Sequence, residues 1–328
     1  MAGEANNDGP RGGDRRGVAI AAAMMLGPAW HLIADALEPA LESGRIDGRT
    51  VERATGVPAD VAKAALGVAE AAGLIKMADQ DIVLTGAGRR AVKERGYVRW
   101  AGAYTKLLKA AHRLPVRSAA GRDLRAGVDV ARGSAEIGAI DVDPFFEAVI
   151  AKRRFETVID IGGGCGTMLI RLVGAQRGRR GIGIDIDAGA CEAAKQNVQK
   201  AALDRQISII HADAIRAAEH VAVAADLVIA RFVLHDLVAA NRRAVSEAGR
   251  LIRPSGRIVI AEVEPYVPGS RSLFAAGFSL IHALKGQQLW SKAVWTDLLE
   301  RAGLSVVEVV DTRLPNAFVL EAVRQKEK

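Results

Sequence analysis

Cysteine is nearly missing from this 328-residue chain, which has only Cys165 and Cys191. Two thiols build neither a disulfide framework nor a cysteine-based zinc site, and they point to a reducing cytoplasm. A long apolar run is missing too. The longest near the start, 17–30, is broken by Gly27 and Pro28 and followed by His31 and Asp35, short of the roughly 20 residues a membrane span needs. Arg15 and Arg16 ahead of it could open an export signal, but the amphipathic pattern runs on through Leu32, Ile33, Ala36 and Leu37, as in a helix of a folded domain. Nor is there a strong excess of one charge: 45 basic against 38 acidic residues give +7, too mild an imbalance to name a partner. Internal repeats are absent. What is present, half apolar and a quarter charged, suffices for one large or two modest domains.

Residues 1–17, rich in Gly, Asn, Asp and Arg, read as a flexible tail. From 18 to 96 the pattern is mostly helical, with stops at Gly44, Gly56 and Gly73. The run 58–73 opens on Pro and closes on Gly, the asymmetry of a helix, and 74–77 and 81–85 then read as two short strands. Helix, turn, helix and hairpin is the order of a winged helix. Yet the second helix has Lys63 as its one basic side chain, with Val61, Ala62, Ala65, Leu66, Val68, Ala69 and Ala72 around it. Such a helix is apolar nearly all round and is expected to be buried, in its own domain or against a second subunit. A homodimer is therefore expected, and a nucleic-acid partner is not, although a cofactor-binding winged-helix DNA regulator stays open as another class of function.

Residues 97–150 continue as connecting helices, with Trp100, Tyr104, Leu107 and Leu108 on one side, a break at Pro115, and Asp143-Pro144 opening a helix to Ile150. Beyond that, in 151–328, β-rich runs at 157–161, 181–186, 206–211, 227–230 and 257–263 alternate with helical stretches, and 305–311 and 317–323 form a closing pair. That alternation predicts an α/β fold with a Rossmann-like parallel sheet.

The first strand ends in Asp160-Ile-Gly162-Gly-Gly164-Cys-Gly166 and enters a helix. Glycines there let the backbone turn sharply and approach a ligand at a helix start. Asp185, at the end of the second strand, is placed to accept both hydroxyls of a ribose, and Asp213 follows the third. Asp160 beside the loop would repel a pyrophosphate, which argues against a dinucleotide and for a cofactor with a cationic amino-acid end.

This arrangement resembles the class I S-adenosylmethionine-dependent methyltransferases. The resemblance implies S-adenosyl-L-methionine as cofactor, with Asp160, Gly162, Gly164 and Gly166 near its methionine part, Asp185 on the ribose, Asp213 near adenine and Arg231 in the same site. Phe232-Val-Leu-His235-Asp236, the run 256–262 ending in Glu262, and Asn316-Ala-Phe318 look like the two-domain small-molecule O-methyltransferases, whose winged-helix-like N-terminal domain dimerises, and like the related α-keto-acid C-methyltransferases. By that likeness His235 acts as base, Glu262 flanks it, 97–150 lines the acceptor pocket, and Phe232, Asp236, Phe278, His282 and Asn316 meet a small-molecule acceptor. The sequence departs from the family's H-D-W-x-D at Leu237 and Ala239, and has Gly286-Gln287-Gln288 where G-G-K is common.

Histidine suits proton removal at neutral pH, and His235, after the fourth strand, stands at the carboxyl edge where open α/β sheets bind ligands. O-methylation with His235 as base is expected first. C-methylation of an α-keto acid is second, with His235 and His282 around a non-haem iron. His282 also reads as a hydrogen-bonded histidine on an apolar helix face, and no third metal ligand is evident from the sequence. His31, His112, His211 and His220 carry no assigned role.

Overall fold

The glycine stops are real turns: Gly44, Gly56 and Gly73 have φ of 81°, 67° and 72°, a left-handed conformation that ends a helix at little cost only for glycine. In the computed structural model, which describes residues 16–113, 124–237, 241–270 and 272–325, the chain divides into two compact units, Met1–Val98 and Arg99–Lys328. The expected tail before residue 16, the break at Pro115 and Ala239 lie outside the described residues.

In the first unit, helix Arg16–Ile33, with Pro28 inside it, leads through the short helix Ala40–Ser43 to β1 (Arg45–Asp47). Helices Gly48–Thr55 and Ala59–Ala71 and the hairpin β2 (Ile75–Ala78) and β3 (Asp81–Leu84) follow. The strands pair antiparallel in the order β1-β3-β2. Asp47 starts its helix by accepting the Thr50 amide, and Thr85 does the same for Gly88, the usual side-chain capping of orphan donors. Trp30, Ile33, Leu37, Val51, Leu66 and Ile82 form the core. Helix Ala59–Ala71 buries Ala62, Ala65, Leu66 and Ala69, while Val61 stays 39% exposed, so within one chain the expected burial holds on one face only. No helix among the described residues is long and apolar enough to cross a membrane.

The second unit is built on β4 (Thr157–Ile161), β5 (Arg180–Asp185), β6 (Ile207–His211), β7 (Ala225–Arg231), β8 (Ile252–Val263), β9 (Leu304–Asp311) and β10 (Ala317–Arg324). Their order is β6-β5-β4-β7-β8-β10-β9. The first five run parallel, and β10 lies antiparallel between β8 and β9. The branched residues that mark these strands fill the layer between sheet and helices: Ile159, Ile161, Val228, Ile258, Ile260 and Leu320 are each at most 1% exposed. Strand order reverses at β4, where the chain leaves for β5 on one side and β7 lies on the other, and such a switch point opens a crevice at the carboxyl ends of the strands.

Candidate active site

After Ile161 the chain turns through Gly162, Gly164 and Gly166, with φ of 68°, 54° and 75°. A Cβ on Gly162 would lie 2.5 Å from Val233 Cγ2, so no larger residue fits. The Gly164 amide donates to Asp185 Oδ2 at 2.8 Å, and the Asp187 amide donates to Asp185 Oδ1 at 2.9 Å. Each Asp185 oxygen keeps a lone pair for a further donor. Burial pushes this carboxyl upward, against the two amides. Over the loop opens a cavity of about 710 Å³ whose walls include Gly162, Gly164, Asp185, Asp213, Arg231 and Phe232. Asp213 caps the next turn by accepting the Ile215 amide at 3.1 Å.

Two residues expected on the cofactor lie behind the cavity wall. Gly166 is not on the cavity wall; it starts helix Thr167–Gly174 and packs against Ala194, shaping the turn. Asp160 is 1% exposed and also absent from the wall, because its carboxyl lies beneath Gly163. Its Oδ2 is buried with no hydrogen-bond partner, and burial pushes its pKa up to about 7. An orphaned buried carboxylate oxygen under a glycine loop suits a cofactor that brings a cationic amino group, and the cavity has the volume usual for cofactor sites. Arg231 reaches the cavity wall but is tied to Asp143 at 2.6 Å. Phe232, next along, has φ of 54°, rare for a non-glycine residue.

On the other side of Phe232, β7 and β8 carry the second group. Glu262, fully buried, accepts the Leu234 amide at 3.0 Å and the His235 Nδ1–H at 2.5 Å. In the neutral imidazole that bond fixes the tautomer and leaves the lone pair on Nε2, which lies 3.3 Å from Asp236 Oδ1. Burial favours the neutral imidazole, but Glu262 outweighs it and holds the His235 pKa above the ordinary value. From helix Leu273–Leu284, His282 donates Nδ1–H to the Phe278 carbonyl at 2.7 Å. Its Nε2 therefore also faces inward as an acceptor, 3.8 Å from the same Asp236 oxygen. Burial, with Lys285 and His235 close by, drives its pKa well down. Burial works against an ionised Asp236, yet Lys285, the two imidazoles and Arg125 outweigh it and hold its carboxyl far below the usual range. The ligand atoms of His235, Asp236 and His282 all lie within 4.8 Å of one another, spacing that could hold a metal ion.

A small cavity of about 40 Å³ adjoins this cluster, lined by Trp100, Tyr104, Phe274, Phe278 and Leu314 as well as His235, Asp236 and His282. Trp100 and Phe278 stack at 5.4 Å with an interplanar angle of 7°. Phe232 and Asp236 line both cavities. The structure does not bring Asn316 to either: it has φ of 63° in the turn between β9 and β10, and its side chain donates to the Pro265 carbonyl. Leu314, two residues earlier, reaches the small cavity instead.

Sequence reasoning missed Lys285 and Arg125. It placed Trp100 and Tyr104 on one helix side within a pocket-lining stretch, without singling them out as pocket residues. It named Phe278 and His282 on this helix but passed over Phe274, one helical step earlier, whose i, i+4 spacing to Phe278 was there to read.

A family model described as a methyltransferase domain matches residues 159–260, the stretch from β4 into β8. The whole architecture is similar to an O-methyltransferase family protein from Burkholderia thailandensis, with a TM-score of 0.67 at 18% identity over 95% of this chain and 98% of that one. An O-methyltransferase from neocarzinostatin biosynthesis, solved with S-adenosylmethionine and 2-hydroxy-5-methyl naphthoic acid, gives a TM-score of 0.60 at 18% identity over 98% and 100%. The indolepyruvate C-methyltransferase of Streptomyces griseus is 30% identical over 230 residues, 68% of each chain. Likeness of that extent goes beyond a shared fold, and the chain belongs to the class I S-adenosylmethionine-dependent methyltransferases, enzymes whose cofactor is S-adenosylmethionine.

Proposed function

We propose that this enzyme methylates carbon, at the position next to the carbonyl of an aromatic 2-oxo acid of the indolepyruvate kind. The observation that carries this reading is the convergence of two imidazole Nε2 lone pairs and the Asp236 carboxylate on one point. Each imidazole is fixed from behind, His235 by Glu262 and His282 by the Phe278 carbonyl, the arrangement that orients metal ligands. A divalent cation held by His235, Asp236 and His282 would supply Lewis-acid attraction for negative charge growing on the acceptor's oxygen. The chain's own residues bind and orient. Trp100, Phe274 and Phe278 line the small cavity with apolar rings that suit an aromatic side chain and keep water away from the reacting carbon. Because Phe232 and Asp236 border both cavities, acceptor and donor methyl group can meet there in line. The C–CH3 bond forms as the sulfonium S–CH3 bond breaks, and the acceptor, reacting as its enol, gives up the hydroxyl proton to solvent. The name of the Streptomyces relative supports the same substrate class.

The second reading is O-methylation with His235 as general base, supported by its Nδ1 hydrogen bond to Glu262, which leaves Nε2 to take a hydroxyl proton. Against it stands the crowding of that Nε2 by Asp236 and His282. Labelled cofactor offered with a panel of phenols, hydroxy acids and 2-oxo acids separates the two by product mass spectrometry and NMR. We expect a new carbon–methyl bond on a 2-oxo acid, lost in chelator and restored by added metal. A methyl ether formed at full rate in chelator would leave the base reading in its place.

We also infer that the first unit is a winged-helix-like dimerisation domain over 18–96, followed by pocket helices over 97–150 and the cofactor-binding domain over 151–328. The exposed Met24, Met25, Val61 and Met77 support a homodimer, which light scattering at micromolar concentration would test. The single lysine of helix Ala59–Ala71 speaks against DNA reading. Both cysteines are free and buried, which suits a reducing cytoplasm.

A further inference from the structure

Lys285 caps helix Leu273–Leu284 with its side chain only 1% exposed, although an ammonium is among the costliest groups to bury. It lines neither cavity. Its Nζ lies 2.9 Å from Asp236 Oδ1 and 5.5 Å from the centre of the Tyr104 ring. That same Oδ1 is the oxygen nearest His235 Nε2 at 3.3 Å and His282 Nε2 at 3.8 Å. The other oxygen, Oδ2, is taken by Arg125 at 3.1 Å. Gln287 completes the collar, donating to the Asp236 carbonyl at 3.2 Å. The carboxylate that would complete a metal site thus already has a cation on each oxygen, and one of them sits on the oxygen facing the imidazoles.

We propose that Lys285 sets how tightly the His235–Asp236–His282 cluster holds a divalent cation, competing with it for Asp236 Oδ1 so that metal binds weakly and reversibly. The proposal rests on the metal-assisted reading above. Two positive charges drawn to one oxygen repel each other across a few ångströms of protein, where screening is poor. In the empty cluster the same ammonium balances the buried carboxylate and holds its direction. Lys285 is therefore a positioning residue that acts through Asp236, and the metal occupancy of the enzyme follows the metal concentration around it.

The test is zinc(II) titrated into untagged full-length protein in competition with a fluorescent chelator. Lys285→Gln should bind zinc about 10- to 100-fold more tightly, the size usual for changes beside metal ligands. Lys285→Arg, which keeps the charge, should stay near the wild-type affinity. A lysine that merely packs would give the opposite sign, because removing it would loosen the cluster. Binding of S-adenosylhomocysteine at the glycine loop reports folding, and Lys285→Met replaces the Gln variant if that one fails it. Unchanged or weaker zinc binding in a folded variant overturns the proposal. So does the absence of zinc binding in every form, while a carbon-methylated product made by the wild type in chelator would show that the substrate reading survives without it.

Discussion

Over β4, β5 and β6 the site is made largely of main chain. Glycines turn the loop, the Gly164 amide meets Asp185, and Asp160 waits beneath with an unpartnered oxygen. Over β7 and β8 it is made of side chains stacked on one another, from Glu262 through His235 and Asp236 to Lys285, with the Trp100–Phe278 stack beside them. A wall of backbone can be filled or emptied but hardly adjusted, whereas a wall of side chains can be retuned one residue at a time. The first half suits a ligand that never changes. The second suits an acceptor that differs from enzyme to enzyme.

If the halves are separate, damage to one should leave the other's readout alone. The largest effect is expected from His235→Ala, which should lower turnover by about 100- to 10,000-fold, with cofactor affinity by calorimetry unchanged. A matching loss of affinity would mean the two halves share their work. Asp185→Ala should do the reverse, weakening S-adenosylmethionine by about 1.5 to 3 kcal/mol for each charged ribose bond lost, with turnover at saturating cofactor close to wild type.

A smaller effect tests the aromatic wall. Phe278→Leu keeps most of the volume but removes the stacked ring, and KM for an aromatic acceptor should rise about 3- to 10-fold, with no such rise for an aliphatic one. A separate test, read as stability, concerns Asp160, whose carboxyl burial lifts from 3.8 to about 7. The folded state then holds a proton that the unfolded chain has released, so this residue lowers stability progressively as pH climbs between those values. Urea midpoints from pH 4 to 8 should therefore fall less in Asp160→Asn than in wild type. Saturating cofactor, by giving the carboxylate a cationic partner, should flatten the wild-type curve as well.

The same division explains what could be read from the residues alone. A backbone that must adopt positive φ writes itself as glycine, so the loop 162–166 was legible, and so were the seven branched runs of the catalytic sheet. Side-chain clusters leave no such mark. Arg125 and Lys285 meet at Asp236 from distant parts of the chain, and no spacing rule brings them together. β1 has only three residues, Arg45–Asp47, paired with β3, so no β-rich run announced it. Asn316 was read as an acceptor contact, but asparagine also tolerates left-handed turns, and that is its place here. Asp160 and Gly166 belonged to a legible pattern, yet the pattern did not tell the wall from what stands behind it.

Phe232 holds its left-handed backbone at a cost on the order of 1 to 3 kcal/mol, and its ring borders both cavities. A glycine there would relax the chain and remove the partition between methyl donor and acceptor. The ring's own packing is what offsets that strain, so the residue that separates donor from acceptor is held in place by the same contacts that make it a wall.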